Sequence, residues 1–314
     1  MSRSVMASVY SRPVMVGSTS VRWVSPAVGG YCTIPSMTTQ ITFLAGLYVR
    51  LAIARVRGRM GYRVGFLLMI LGVFVANTFE FVALLVLFGQ VRLLGGWNSH
   101  EVALLWGMSQ MSFAIAEAFG HGFEGLAPQV RSGEFDQVLV RPLPVFFQVF
   151  ASDFQAQRIG RFLQGATAVW FSRSDPASLP WQASNWTMLT FAVTTGAVIF
   201  FATFVLGGAW ALRVVDGQEL MNTFTYGGAT LASYPLDLFS DPIRRAATWV
   251  LPLAFVNYFP ALALLGRVAP DGILPFGLSP ITLALSAPIV SLMYLGIAVV
   301  VWDRSVMRYQ GTGT

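Results

Sequence analysis

Two carboxylates stand inside long apolar stretches, Glu80 within 64–91 and Glu117 within 101–119, each the lone interior charge of its stretch. A carboxylate in hydrocarbon costs several kcal/mol unless it is paired or faces water, so both are candidates for function: stations of a cation or proton relay, or fasteners between helices. Glu80 lies towards one end of its stretch and Glu117 towards the opposite end of the next, so they need not meet, which favours packing or interface roles. His100 and His121 flank the second stretch at its two ends and cannot share a metal, and no HExxH pattern or cysteine pair supplies ligands. Cys32 is the only cysteine, which rules out an intramolecular disulfide and a cysteine-cluster metal site. All twenty basic residues are arginine, so the chain lacks the lysine that a phosphate-binding P-loop uses, and any nucleotide hydrolysis has to come from a partner. No catalytic residue, cofactor-binding residue or metal set is expected.

A third constellation lies in the longest charge-bearing stretch, 124–165. Gly133 can adopt the positive φ that ends one short helix, Asp136 can cap the next, and Pro142 stops it after Arg141. On that short helix Phe135, Val138 and Leu139 fall at i, i+3 and i+4, flanked by Glu134, Asp136 and Arg141. Such an apolar face in a polar loop suits another protein's groove or a bed of lipid headgroups. Arg141 would satisfy carbonyls at the end of the turn or pair with a carboxylate.

The elements that carry these residues are membrane spans. Of 314 residues, 55% are hydrophobic and 11% charged, a balance that a water-soluble domain would not show. Several uncharged runs approach or exceed the roughly 20 residues that cross a bilayer as helix, and the alternating segments of a β-barrel are absent. The expected fold class is an all-α integral membrane protein with six transmembrane helices. The spans are 64–91, 101–119, a third starting near 156 with Arg158 and Arg161 snorkelling to the headgroups, 186–212, 218–238 and 281–302. For 246–266, broken by Pro252 and Pro260, two arrangements satisfy the hydropathy: a re-entrant outer hairpin, or a crossing in place of 218–238. Residues 41–62 form an N-terminal interfacial helix with Leu44, Leu47, Tyr48 and Leu51 on one face and Arg55, Arg59 and Arg63 as a following stripe. Five arginines before the first span and Arg304 and Arg308 after the last put both termini in the cytoplasm. Residues 1–36 read as a disordered leader, which leaves Met1 or Met37 as the native start. Trp97, Trp106, Trp181, Trp186 and Trp249 suit membrane interfaces or packing.

Gly133, Phe135, Asp136, Leu139, Arg141 and Pro142, with FQVFASDFQAQRIGRFLQG after them, resemble the cytoplasmic loop of ABC-2 type permeases, the membrane subunits of bacterial ABC exporters. The likeness continues through SYPLDLF at 233–239 and LPLAFVNYFPALALLG at 251–266. It implies that 37–314 is an ABC-2 type transmembrane permease domain of the bacterial cell membrane. In that reading a hydrophobic or amphipathic substrate is exported using ATP hydrolysed by a separate ABC ATP-binding subunit. It implies a second permease copy or paralogue as partner, the loop Gly133, Glu134, Phe135, Asp136, Val138, Leu139, Arg141, Pro142 as the contact to the ATPase, and a re-entrant 246–266. The alternative is an ion-coupled secondary transporter working through Glu80 and Glu117. Neither nucleic-acid binding nor any cofactor is expected, and substrate and homo- or heterodimer lie beyond the sequence.

Overall fold

The computed structural model describes residues 11–15, 21–24, 31–33, 37–90, 93–174, 182–214, 218–267 and 277–310. The chain divides into two compact units, Met1–Ala54 and Arg55–Thr314. In the first, β1 (Ser11–Met15), β2 (Val21–Val24) and β3 (Tyr31–Thr33) pair antiparallel in that order. These strands stand in the stretch read as a disordered leader. Val14, Val21, Trp23, Val24 and Tyr31 are β-branched or aromatic residues that favour extended backbone, a signal too short to register against the surrounding Ser, Gly and Pro. Helix α1 (Met37–Met60) follows and ends in a turn at Gly61 and Tyr62. Arg63 therefore opens the next helix instead of extending the arginine stripe of α1.

The second unit is helical. Among the described residues four helices are long and apolar enough to cross a membrane: α2 (Arg63–Gln90), α3 (Ser99–Glu124, continued by α4, Leu126–Arg131), α8 (Ala183–Ala211) and α12 (Pro280–Arg308). Helices α5 (Glu134–Val140), α6 (Val145–Phe150), α7 (Ile159–Ser172), α9 (Gln218–Ala232), α10 (Asp241–Trp249) and α11 (Tyr258–Leu265) complete it. The third and fifth expected spans, α7 and α9, have only 14 and 15 helical residues. Segment 246–266 is not one straight helix: α10 and the stretch Leu253–Leu265 meet at 74°, a broken span or a re-entrant turn.

Helix α3 is the axle of the unit. It packs against α7 on one side and α8 on another, and most of its length is buried, which a span facing lipid all round would not be. Small residues make that possible. A Cβ on Gly107 would lie 2.7 Å from the Gly165 carbonyl oxygen of α7, and one on Gly122 only 2.1 Å from the Val149 carbonyl oxygen, so at both points backbone rests on backbone. Asn98 caps α3 by a capping box with Glu101. Helix α2, by contrast, fully buries only Phe81 and Leu84; Leu85 and Phe88 are packed in part against the core, and much of its remaining apolar surface faces outward.

At the end of α3 opposite the elbow, a clasp holds the α2–α3 turn on the segment between α9 and α11. Trp97 Nε1 donates to Asp237 (2.7 Å), and so does the Tyr258 hydroxyl (2.5 Å). Arg267 pairs with Glu101 at 2.9 Å and lies over the Trp97 ring. Asn257, fully buried, donates to the Leu105 carbonyl of α3 and the Ala232 carbonyl at the end of α9, tying the start of α11 to both.

Candidate functional site

The two expected constellations, Glu117 and the elbow, lie at the same end of α3. Glu117 sits on the inner face of the axle, 1% exposed, and is clamped by two arginines: Arg158 Nη2 at 3.0 Å and Arg161 Nη1 at 3.5 Å. Arg161 also donates from Nε to Gln110 (2.5 Å) and lies 4.3 Å over the Phe113 ring. The Tyr226 hydroxyl of α9 reaches both Glu117 (3.1 Å) and Glu124 (2.9 Å), which lies about two turns further along α3. Glu124 meets His121 Nδ1 at 3.0 Å, His121 Nε2 lies 3.7 Å from Asp153, and Asp153 lies 3.8 Å from Arg55. One polar chain thus ties α3 to α7, α9 and the segments on either side.

Arg158 and Arg161 do not snorkel to headgroups. Their side chains are 23% and 14% exposed, because the nearest stable home for a guanidinium here is a buried carboxylate rather than the membrane surface. Glu80 is exposed on α2, and its charge acts on the Arg161 guanidinium, though less strongly than that of Glu117. His100 and His121 stay at opposite ends of α3, His100 stacked on Phe171. Trp97 and Trp106 are buried, Trp186 and Trp249 exposed, and Trp181 lies outside the described residues.

At the elbow, Gly133 has φ +75° and ends α4, the left-handed turn that glycine makes without penalty. Helix α5 starts at Glu134, two residues before the expected cap Asp136, with Gly133 itself in the capping position. The apolar face does not point outward as one surface. Phe135 is fully buried and packs edge-on against Tyr309 just past the end of α12, centroids 5.1 Å apart; Val138 is half-buried against the core. An i, i+3, i+4 face on so short a helix is consumed in seating the helix on its own chain. What remains exposed is Leu139 at 39%, Val140 at 83%, and Arg141 and Pro142 beside them, with Glu134 and Asp136 on the flank. The carbonyls assigned to Arg141 are taken by Gln148, whose Nε2 donates to Val138 (2.9 Å) and Leu143 (2.8 Å) and stitches α5 to α6. Burial, and secondly the Asp136 carboxylate close by, raise the Tyr309 phenol above its ordinary pKa. Behind the elbow, Trp302 of α12 is edge-on to Phe123 of α3 and Phe146 of α6 at 5.1 and 6.0 Å.

Arg158 and Arg161 drew attention in the sequence only as a cost to a span; their value as partners of Glu117 was encoded in the need of a membrane carboxylate for a counter-ion. Tyr226, Gln148 and Tyr309 carried no such signal. A comparison with curated proteins and one with solved structures gave no match. A family model described as ABC-2 family transporter protein matches residues 74–313, which include α3, the elbow, the arginines and the clasp at the other end of α3. With that match spanning well over half of its 314 residues, the chain belongs to the ABC-2 family of transporter proteins, multi-pass membrane permeases.

Proposed function

We propose that the chain is the permease subunit of a bacterial ABC exporter that moves a hydrophobic or amphipathic substrate. ATP is hydrolysed by a separate subunit docked on the elbow, and a second permease copy or paralogue completes the pore. The carrying observation is the division of labour in α5: Phe135 is locked to the end of α12 while Leu139, Val140 and Pro142 stand free at the tip. A push on the tip reaches α12 through Phe135 and Tyr309, and reaches α3 through α6 and Trp302, which suits a rigid-body switch between inward- and outward-facing states. In this reading α7 and α9 complete six crossings with adjoining turns, 246–266 is a re-entrant outer hairpin, α1 lies along the inner surface, and both termini are cytoplasmic.

The ion-coupled alternative fits less well. A relay carboxylate has to exchange its partner for the transported cation, whereas Glu117 already has two arginines against it. The test is recovery of a co-expressed ATPase by tagged permease. Val140→Asp, at an exposed position, should leave the permease folded yet lower affinity by about thirtyfold, the effect of losing ~2 kcal/mol at an interface anchor. Undiminished recovery with Val140→Asp and with Leu139→Asp would show that the elbow is not the docking contact.

A further inference from the structure

Helices α2 and α12 both present apolar surface outward, and the two surfaces differ in kind. The outward side of α12 carries Leu285, Ile289, Leu292 and Met293, each more than half exposed, long side chains that suit lipid tails. On α2, Gly72, Ala76, Phe79, Ala83, Val86 and Gln90 are all exposed and recur at alternating steps of four and three. That spacing sets them along one side of the helix, turned away from the buried Phe81 and Leu84, in the pattern of a seam between two helices. From Gly72 to Gln90 the helix rises about 27 Å, close to the ~30 Å of a bilayer's hydrocarbon. No atom of the described residues lies within 4 Å of where a Cβ on Gly72 would stand, so this side is open as well as flat. Small residues of this sort let helix backbones approach closely. Glu80, next to Phe79, is exposed at the edge of the same side, and a carboxylate left facing hydrocarbon is strongly unfavourable, so this side calls for protein cover where that of α12 does not.

We infer that a second copy of this chain packs on this side, α2 against α2, about a two-fold axis along the membrane normal. Both copies share one orientation in the membrane, so the two α2 helices run parallel and each seam position meets itself. The seam is matched to itself. Ala76 and Ala83 bring the backbones close, and the Phe79 layer between them has room for two rings because the layers on either side are small. At the end of the seam the two Gln90 amides exchange hydrogen bonds, each offering a donor and an acceptor. Glu80 directly follows a seam residue and so stands at the flank, and the two-fold sets the two carboxylates on opposite flanks instead of face to face. Each is covered from lipid while its charge still acts on Arg161 of its own chain. The matching of each layer to itself selects a copy of this chain over a paralogue. The inference rests on the reading of the chain as one of two paired permeases and adds the surface by which they meet.

Two measurements on the full chain separate the pairing from the surface. Two differently tagged copies are co-expressed, and recovery of one tag with the other reports whether two copies pair at all. Single cysteines in the Cys32→Ser protein, oxidised in native membranes, report the surface. Ala76→Cys and Ala83→Cys should give disulfide-linked dimers, whereas Leu67→Cys and Leu71→Cys, exposed on other sides of α2, should not. Gly72→Leu, whose side chain starts in open space within the single chain, should lower co-recovery of the tags by about tenfold, the effect of forcing closely packed helices apart. Ala76→Leu makes the same test if that variant fails to insert. Co-recovered tags with no disulfide at Ala76 and Ala83, or with equally strong disulfides at Leu67 and Leu71, refute the seam and leave a second copy in place. Tags that do not co-recover refute the second copy, and the seam with it, and leave a paralogue as the partner. Disulfides confined to Ala76 and Ala83, together with co-recovery that falls in Gly72→Leu, support the inference.

Discussion

Glu117→Gln removes one charge from the middle of the unit and keeps its volume. On the sequence alone the substitution should be benign, since a packing or hydrogen-bonding role survives the loss of charge. The structure changes the expectation. Glutamine leaves Arg158 and Arg161 facing a neutral amide while 23% and 14% exposed, so two guanidiniums lose the group that compensates their desolvation. Removing one partner from a buried ion pair costs about 3–5 kcal/mol. A kcal/mol shifts the midpoint of a large domain by about 2–4 °C, so the melting temperature of the detergent-solubilised permease should fall by roughly 6–20 °C. Glu80→Gln, at an exposed position, is the control and should move it little. Adding Arg158→Gln to Glu117→Gln should recover part of the loss, because the second change removes a cation that the first left unmatched. Melting of Glu117→Gln at the wild-type temperature, or a double variant whose loss is the sum of the two singles, would falsify the idea that these charges hold the unit together. Export by the Glu117→Gln protein at a temperature where it is folded further separates the readings: retained transport supports a structural charge, abolished transport revives ion coupling.

Phe135→Ala should lower stability by about 3–5 kcal/mol, the cost of emptying a fully buried phenylalanine site, and should reduce ATPase binding less than Val140→Asp does; thermal melting beside pull-down gives both numbers. Gly122→Ala should prevent assembly of the native unit, because the new Cβ meets the Val149 carbonyl at 2.1 Å and backbone cannot move aside cheaply; its yield as monodisperse protein on gel filtration is the measure. Asp237→Ala strands the Trp97 indole N–H and the Tyr258 hydroxyl, at about 1–3 kcal/mol for each unsatisfied group, so it should destabilise more than Asp237→Asn, read by the same melts. Single cysteines in a Cys32→Ser background should be reached by an impermeant label from outside at Ser184 and missed at Met37 and Thr314; labelling of either terminus in intact cells would sink the proposed orientation.

The long spans were legible because hydropathy over a window is a property of the chain itself: α2, α3, α8 and α12 start within three residues of 64–91, 101–119, 186–212 and 281–302, while α3 and α12 run on past the expected ends to Glu124 and Arg308. Gly133 and Pro142 marked the limits of the elbow for the same local reason. What failed was direction. Periodicity puts Phe135, Val138 and Leu139 on one face but cannot say whether that face meets its own chain or a partner, and Tyr309, the residue that covers Phe135, is far away in sequence. The arginines failed likewise: at a span's edge, snorkelling and pairing leave the same local pattern, and only the approach of α7 to α3 decides between them. That approach depends on Gly107 and Gly165, two glycines among thirty, whose meeting no one-dimensional pattern announces.

The clamp on Glu117 also dictates an order of events during synthesis. Both of its arginines, and Tyr226 after them, lie downstream in the chain, so the ribosome delivers α3 to the membrane before any of its counter-charges exist. A span with an unmatched carboxylate in its last third, together with Ser109, Gln110 and Ser112, is a poor candidate to be released alone into lipid. In the proposed six-span arrangement α3 gains the counter-charges for Glu117 only once α7 has brought Arg158 and Arg161 to it. The same charges that fasten the finished protein thus make its biogenesis a matter of timing.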